Sequence, residues 1–280
     1  MPDTEAEIAL PRGTLMQGKR GLIMGVANNR SIAWAIAQSV AAQGGECAFT
    51  YQGEALEKRV RPLAASIGAD FLLPCDVTDD AAMDAAFSAL KQKWGKIDFL
   101  VHAIGFADKN FLRGRFVDTP RDVFLQALDI SCYSFAAVGQ RAAAMMPDGG
   151  SLLTLSYLGA ERWVPHYNVM GVAKAALEAS VRYMAADLGP DNIRVNAISA
   201  GPIKTLAASG IGDFSYIMKW NKYNSPLRRN VELEEVGGAG LYMLSGLSKG
   251  VTGEVHHVDC GCNINGMKNP DAPDLTIVSE

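Results

Sequence analysis

The sequence predicts a doubly wound α/β fold: one parallel sheet of about seven strands with helices on both faces. Two observations predict it. Short apolar runs alternate with helical stretches of about 12 to 16 residues, and parallel strands need crossovers of that kind to cover both sheet faces. The rhythm also holds from residue 19 to residue 201 with no change that would mark a linker.

Each element follows from its local pattern. KRGLIMGV (19–26) is an apolar run ending near glycine and reads as the first strand, and SIAWAIAQSVAAQGG (31–45) reads as a helix stopped by Gly44-Gly45. ECAFTY (46–51) is a second strand, EALEKRVRPLAASIG (54–68) a helix, DFLLPCDV (70–77) a third strand and 79–94 a further helix. KIDFLVHAIGF (96–106) contains the fourth strand. A polar stretch from Ala107 to Thr119 leads into one long helical region near 120–146, followed by a fifth strand in GGSLLTLSYLG (149–159). Residues 168–188 read as helix, NIRVNAISAG (192–201) as the sixth strand, 231–246 as helix and GEVHHVD (253–259) as the last strand. Residues 202–229 break the rhythm, and insertions after the carboxyl end of a strand are often lids over a ligand.

Composition narrows the function classes. Of 280 residues, 49% are hydrophobic and 20% charged, which fits a large core and not a disordered chain. A net charge of -4 argues against a protein built around nucleic acid or an anionic membrane. The first twenty residues carry acids early and do not read as a secretory leader, and no run approaches the ~18 apolar residues of a membrane span, so a cytoplasmic location is expected. Residues 1–14 are expected to form a flexible lead, 15–268 a single domain and 269–280 a tail. The cysteines Cys47, Cys75, Cys132, Cys260 and Cys262 are odd in number and sparse, as in a reducing compartment. Cys260-Gly-Cys262 beside His256 and His257 lacks the C-x2-C spacing of a metal site, so no metal is expected.

Two regions carry chemistry. The first strand–helix junction, Gly25 to Ala33, lacks a G-x-G-x-x-G string. It keeps Gly25 where backbone would approach a pyrophosphate, and Ser31 and Ala33 are small where the helix must pack closely. Asp76-Val77 stands where an adenine would lie, although an Asp there more often caps the helix starting near Thr78. Where many NAD sites place an acid, this chain has Tyr51-Gln52-Gly53, which leaves the choice between NADH and NADPH open. Ala103-Ile104-Gly105 is a close-approach segment after the fourth strand.

The second region holds Tyr157, Tyr167 and Lys174. If a helix begins near Tyr167, a spacing of seven puts Tyr167 and Lys174 on one face about 10 Å apart along its axis. A nicotinamide riboside spans that distance, with lysine on the ribose and tyrosine at the reacting carbons. Hydride delivery to a conjugated carbonyl develops charge on oxygen, which a phenol beside a fixed ammonium can meet. Composition and spacing alone leave the ordinary reading open, a half-buried tyrosine and a solvated lysine.

The stretch LLTLSYLGAERWVPHYNVMGVAKAALEASVRYMAADLGPDNIRVNAISAGPIKTLAASGI (152–211) is the most specific feature. Through it, and from about Leu15 to Met267, the chain resembles the bacterial NADH-dependent enoyl-[acyl-carrier-protein] reductases of the short-chain dehydrogenase/reductase superfamily, whose fold is Rossmann-like. Ordinary superfamily members carry Tyr-x3-Lys; here Met170 occupies that place and Tyr167 stands seven before Lys174, as in the enoyl reductases.

The resemblance implies NADH as cofactor. It assigns Gly25, Ser31, Ile32, Gln52, Asp76, Val77, Gly105, Lys174, Ile203 and Thr205 to its binding, and Tyr157, Tyr167 and Lys174 to catalysis. Ala107, Leu206, Ile211 and Phe214 join the two tyrosines in the substrate pocket. It implies hydride attack on C3 of a trans-2-enoyl thioester, an enolate held by Tyr167 and a ribose hydroxyl oriented by Lys174, and protonation at C2, with Tyr157 assisting the same oxygen or shaping the pocket. It further implies an acyl carrier protein as partner and a homotetramer. Tyr216, Ile217, Met218 and Trp220 suit an acyl channel or a covering helix alike. Lys204, Lys219, Lys222, Arg228 and Arg229 are candidates for docking an acidic carrier, and His166 reads as a loop residue. The alternatives are a diverged reductase of another enoyl thioester or small carbonyl, and a cofactor-binding protein without turnover.

Overall fold

The computed structural model describes residues 10–206, 208 and 212–275. Among these, the strands β1 (Arg20–Met24), β2 (Glu46–Tyr51), β3 (Leu72–Pro74), β4 (Phe99–His102), β5 (Gly150–Ser156), β6 (Ile193–Ala200) and β7 (Val255–Val258) form one sheet in the order β3-β2-β1-β4-β5-β6-β7. Every neighbouring pair is parallel.

Side-chain alternation divides the core into two layers. Leu22, Met24, Leu100 and Leu152 point to one face, where α3 (Asp80–Trp94), α5 (Ser134–Ala143) and α6 (Asn168–Leu188) bury Leu90, Phe135 and Leu177 against them. Ile23, Phe49, Val101 and Leu153 point to the other, under α1 (Ile32–Ala42), α2 (Gly53–Ser66) and α8 (Leu233–Leu244). Strands buried on both faces explain why they read as unbroken apolar runs. Among the described residues, no helix is long and apolar enough to cross a membrane.

The structure departs from the expected elements in three places. The long helix near 120–146 is two helices, α4 (Arg121–Leu128) and α5, joined by a π-helical segment, Asp129–Tyr133. Ser134 Oγ donates to the Ile130 carbonyl at 2.6 Å and Ser131 is drawn sideways to the backbone of Phe106, so side chains satisfy groups that a regular helix would pair. The third strand shrinks to three residues at the sheet edge, where Pro74 is tolerated because its missing N–H faces the open side, while the next amide, Cys75 N, still donates to the Tyr51 carbonyl at 2.9 Å. The 202–229 insertion contains a helix, α7 (Phe214–Asn224).

Residues 1–9 of the expected lead and 276–280 of the expected tail lie outside the described residues. The start of the tail packs on the end of α7: Asn269 N donates to Asn224 Oδ1 at 2.7 Å, and Ala272 is buried.

Candidate active site

The strand order reverses beside β1, between β2 and β4, and in doubly wound sheets ligands bind at the carboxyl edge of such a switch point. Gly25 follows β1 with φ +98, and a Cβ there would sit 2.1 Å from the Ala103 carbonyl oxygen, so only glycine allows β1 and β4 to close this edge. Ser31 is the N-cap of α1, yet its hydroxyl does not cap the helix. It turns back to accept from the amides of Ala27 at 3.0 Å and Asn28 at 3.1 Å, shaping the loop and leaving the first helical turn without a side-chain cap. An uncapped helix amino end at a switch point suits a pyrophosphate.

At the adenosine end, Gln52 Nε2 donates to Asp76 Oδ2 at 2.7 Å. Asp76 Oδ1 accepts from the Thr78 amide and hydroxyl at 2.9 and 2.8 Å, bonds that hold its carboxyl below the usual range. The helix cap expected of Asp76 belongs instead to Asp79, which accepts from Ala81 N at 2.9 Å. Gln52 and Asp76 join Gly53, Cys75, Ala82 and Ala85 around a cleft of about 370 Å³. Val77 is buried beside it, whereas Ile32 is half-buried on α1.

At the chemical end, Lys174 is buried and its Nζ donates to the Leu155 carbonyl of β5 at 2.7 Å. Burial pushes its pKa down to about 8, with Cys132 and Glu178 opposing the fall. A Cβ on Gly105 would lie 3.6 Å from that Nζ, so the glycine segment after β4 and the lysine share one site. Tyr167 is the N-cap of α6, flanked by His166 and Asn168 at positive φ of 58° and 33°. Its ring meets that of Tyr157 edge-on, with centroids 5.0 Å apart. Burial raises both phenols well above the ordinary tyrosine pKa, so each stays a neutral donor.

Of the other expected residues, Ile203 packs against the α1/α8 core layer, and Thr205 Oγ1 accepts from Ala208 N at 3.1 Å. Leu206 is exposed, Phe214 opens α7 half-buried, and Ala107 is half-buried past Gly105; Ile211 lies outside the described residues. Arg228 caps carbonyls at the end of α7 and Arg229 pairs with Glu235, whereas Lys204, Lys219 and Lys222 are exposed. His257 meets Glu161 at 2.7 Å, and among the described residues no three His, Cys, Asp or Glu side chains stand together as a metal site.

Several residues the sequence reading missed support the site. Buried His102 bonds Ser134 Oγ at 2.8 Å and Thr154 Oγ1 at 3.2 Å, and burial pushes its pKa down to about 3. Ser131, carried by the π segment, bonds both the amide and the carbonyl of Phe106. His166, expected as a plain loop residue, pairs with Asp213 at the start of α7 at 2.9 Å. The π segment had only a weak signal, five successive weaker helix formers; His102, polar within an apolar strand, had a clearer one.

A parallel doubly wound sheet with a tyrosine–lysine pair at its carboxyl edge defines a short-chain dehydrogenase/reductase. A family model described as enoyl-(acyl carrier protein) reductase matches residues 25–263. The chain is 66% identical over 266 residues to enoyl-[acyl-carrier-protein] reductase [NADH] 1 of Rhizobium meliloti, covering 95% of this chain and 98% of that one. The Anaplasma phagocytophilum enoyl-(acyl-carrier-protein) reductase, solved in complex with NAD, superposes with a TM-score of 0.91 at 57% identity, over 95% of this chain and all of the other. The Bacillus cereus enzyme, solved with NADP+ and indole naphthyridinone, gives 0.89 at 52%, over 90% and 99%. The chain belongs to the enoyl-(acyl carrier protein) reductase family.

Proposed function

We propose that this protein reduces the C2–C3 double bond of trans-2-enoyl thioesters carried on acyl carrier protein, using NADH, in fatty-acid elongation. The observation that carries the reading is the grouping of half-buried Tyr157 with buried Tyr167 and Lys174 at the carboxyl edge of β5, seven residues separating the second tyrosine from the lysine. The site fits a dinucleotide in its own structure: an uncapped α1 amino end for phosphate, the Asp76 carboxylate for adenosine, and a buried ammonium for ribose hydroxyls.

Gly25, Ser31 and Ile32 hold the pyrophosphate, and Gln52, Asp76 and Val77 the adenosine. Gly105, Lys174, Ile203 and Thr205 line the nicotinamide half. When bound, reduced nicotinamide supplies the hydride that C3 receives. Tyr167, a neutral phenol, donates to the thioester oxygen as negative charge develops there, and Lys174 orients the ribose hydroxyls beside it. Tyr157 walls the same oxygen against water, and C2 then takes a proton. Ala107, Leu206 and Phe214 flank the acyl chain, and exposed Lys204, Lys219 and Lys222 meet the acidic carrier. The enzyme acts in the cytoplasm as a homotetramer, for which Leu125, Tyr133 and Tyr183, exposed on α4, the π segment and α6, supply apolar contact.

The test is NADH oxidation on adding crotonyl thioesters, carrier-linked and coenzyme-A-linked, repeated with NADPH. Absence of oxidation with every enoyl thioester overturns the reading. Tyr167→Phe should lower kcat by about 10²-fold; nearly full turnover would remove Tyr167 from its role.

A further inference from the structure

Glu178 has no part in the chemistry above, yet it is a carboxyl group only 6% exposed on α6, one helical turn beyond Lys174. Positions i and i+4 lie about 6 Å apart on one helix face, so it stands within reach of the buried ammonium. Ser156 Oγ donates to Glu178 Oε1 at 2.5 Å. Leu155 and Ser156 are therefore fastened to α6 in succession, the first by its carbonyl to Lys174 and the second by its hydroxyl to Glu178. Tyr157 is the next residue along.

We propose that Glu178 is a positioning residue of the reductase site: its carboxylate keeps Lys174 protonated and, through Ser156, fixes the direction in which β5 delivers Tyr157. This rests on the assignment of Lys174 and Tyr157 to the site. Burial raises the Glu178 carboxyl above its usual range and Glu161 acts in the same sense, while the Ser156 hydroxyl, His257 on β7 and Arg182 on the same helix favour the carboxylate against them. Around Lys174, Cys132 acts in the same sense as Glu178, while burial opposes both; His102 is held neutral by its own burial and by the lysine.

The experiment follows the Lys174 ammonium directly in the cofactor-free protein, by NMR of ε-carbon-labelled lysine assigned with Lys174→Arg. Steady-state kinetics with crotonyl thioester accompany it. In the wild type Lys174 should titrate at about 8; in Glu178→Gln, which keeps the shape and an acceptor for Ser156, it should titrate about one pH unit lower. The alkaline limb of kcat/KM should move with it. Ser156→Ala keeps the charge and loses the strap, so the lysine titration should hold while KM for the enoyl thioester rises several-fold. An unchanged Lys174 titration in Glu178→Gln overturns the electrostatic half, and an unchanged KM in Ser156→Ala overturns the positional half. The lysine titration needs no turnover, so a wild type inactive on enoyl thioesters would refute the function without deciding this point.

Discussion

Gly159→Ala tests how tightly the turn after β5 holds Tyr167. A Cβ at residue 159 would fall 2.3 Å from Cδ1 and 2.7 Å from Cε1 of the Tyr167 ring, against about 3.4 Å for ordinary contact. The turn is itself packed closely on α6, its carbonyl so near Gly171 that a Cβ there would lie 2.7 Å away, so only glycine allows the approach. The ring must therefore give by about 1 Å, and a displacement of that size near reacting atoms costs about 10²-fold in rate. The overpacking itself should cost about 1–3 kcal/mol, lowering Tm by roughly 2–10 °C for a chain of this size. Steady-state kinetics with crotonyl thioester should show the loss in kcat, with NADH affinity, read by fluorescence, nearly unchanged. A variant that keeps kcat within about twofold of wild type would show that the ring is not held by this turn.

Ser31→Ala removes the oxygen that accepts from the Ala27 and Asn28 amides, leaving two donors of the loop unpaired at about 1–3 kcal/mol. NADH Kd should rise roughly tenfold while kcat at saturating cofactor holds; an unchanged Kd would detach this loop from cofactor binding. His102, neutral when folded down to about pH 3 and titrating near pH 6.5 when unfolded, gives stability fully present above pH 6.5 and lost as pH falls toward 3. Urea unfolding should show a loss of about 2 kcal/mol between pH 6.5 and 5, a window above the range in which the carboxylates with lowered pKa, such as Asp76 and Glu235, begin to count. His102→Asn should flatten that slope; an equally steep fall would refute the assignment.

The sheet was legible because strands buried on both faces are apolar throughout, and β2 and α6 fall where ECAFTY and 168–188 place them. The breaks were not, because they are set by tertiary bonds. Asp129-Ile-Ser-Cys-Tyr is a run of weaker helix formers, which marks a soft point but not a π segment, and only the Phe106 backbone, some 25 residues earlier, makes sense of Ser131. Spacing likewise could propose Asp76 as a cap but not see that Asp79 takes that bond and frees Asp76 to meet Gln52. At the chemical end, residue types carried the signal for Tyr157, Tyr167 and Lys174, while Ser156 and Glu178, ordinary residues in a strand and a helix, acquire meaning only from their contact.

Spacing also gave an incomplete reason for the direction of Tyr167. A shared face seven residues apart assumes a tyrosine inside the helix, but Tyr167 is the N-cap, set between two residues at positive φ. Its ring is therefore aimed by the turn, by Gly159 and by Tyr157, and helical periodicity governs Lys174 and Glu178 alone. That separation has a chemical use. A residue four before the lysine would move rigidly with α6 and suit an oxygen on the very carbon that takes hydride, whereas the thioester oxygen lies two bonds farther along. A phenol carried on the cap can reach that oxygen while the lysine stays on the ribose. The His166–Asp213 pair ties the same cap to the start of α7, so the element proposed to cover the acyl chain and the tyrosine proposed to meet its carbonyl are joined through one ion pair and one peptide bond.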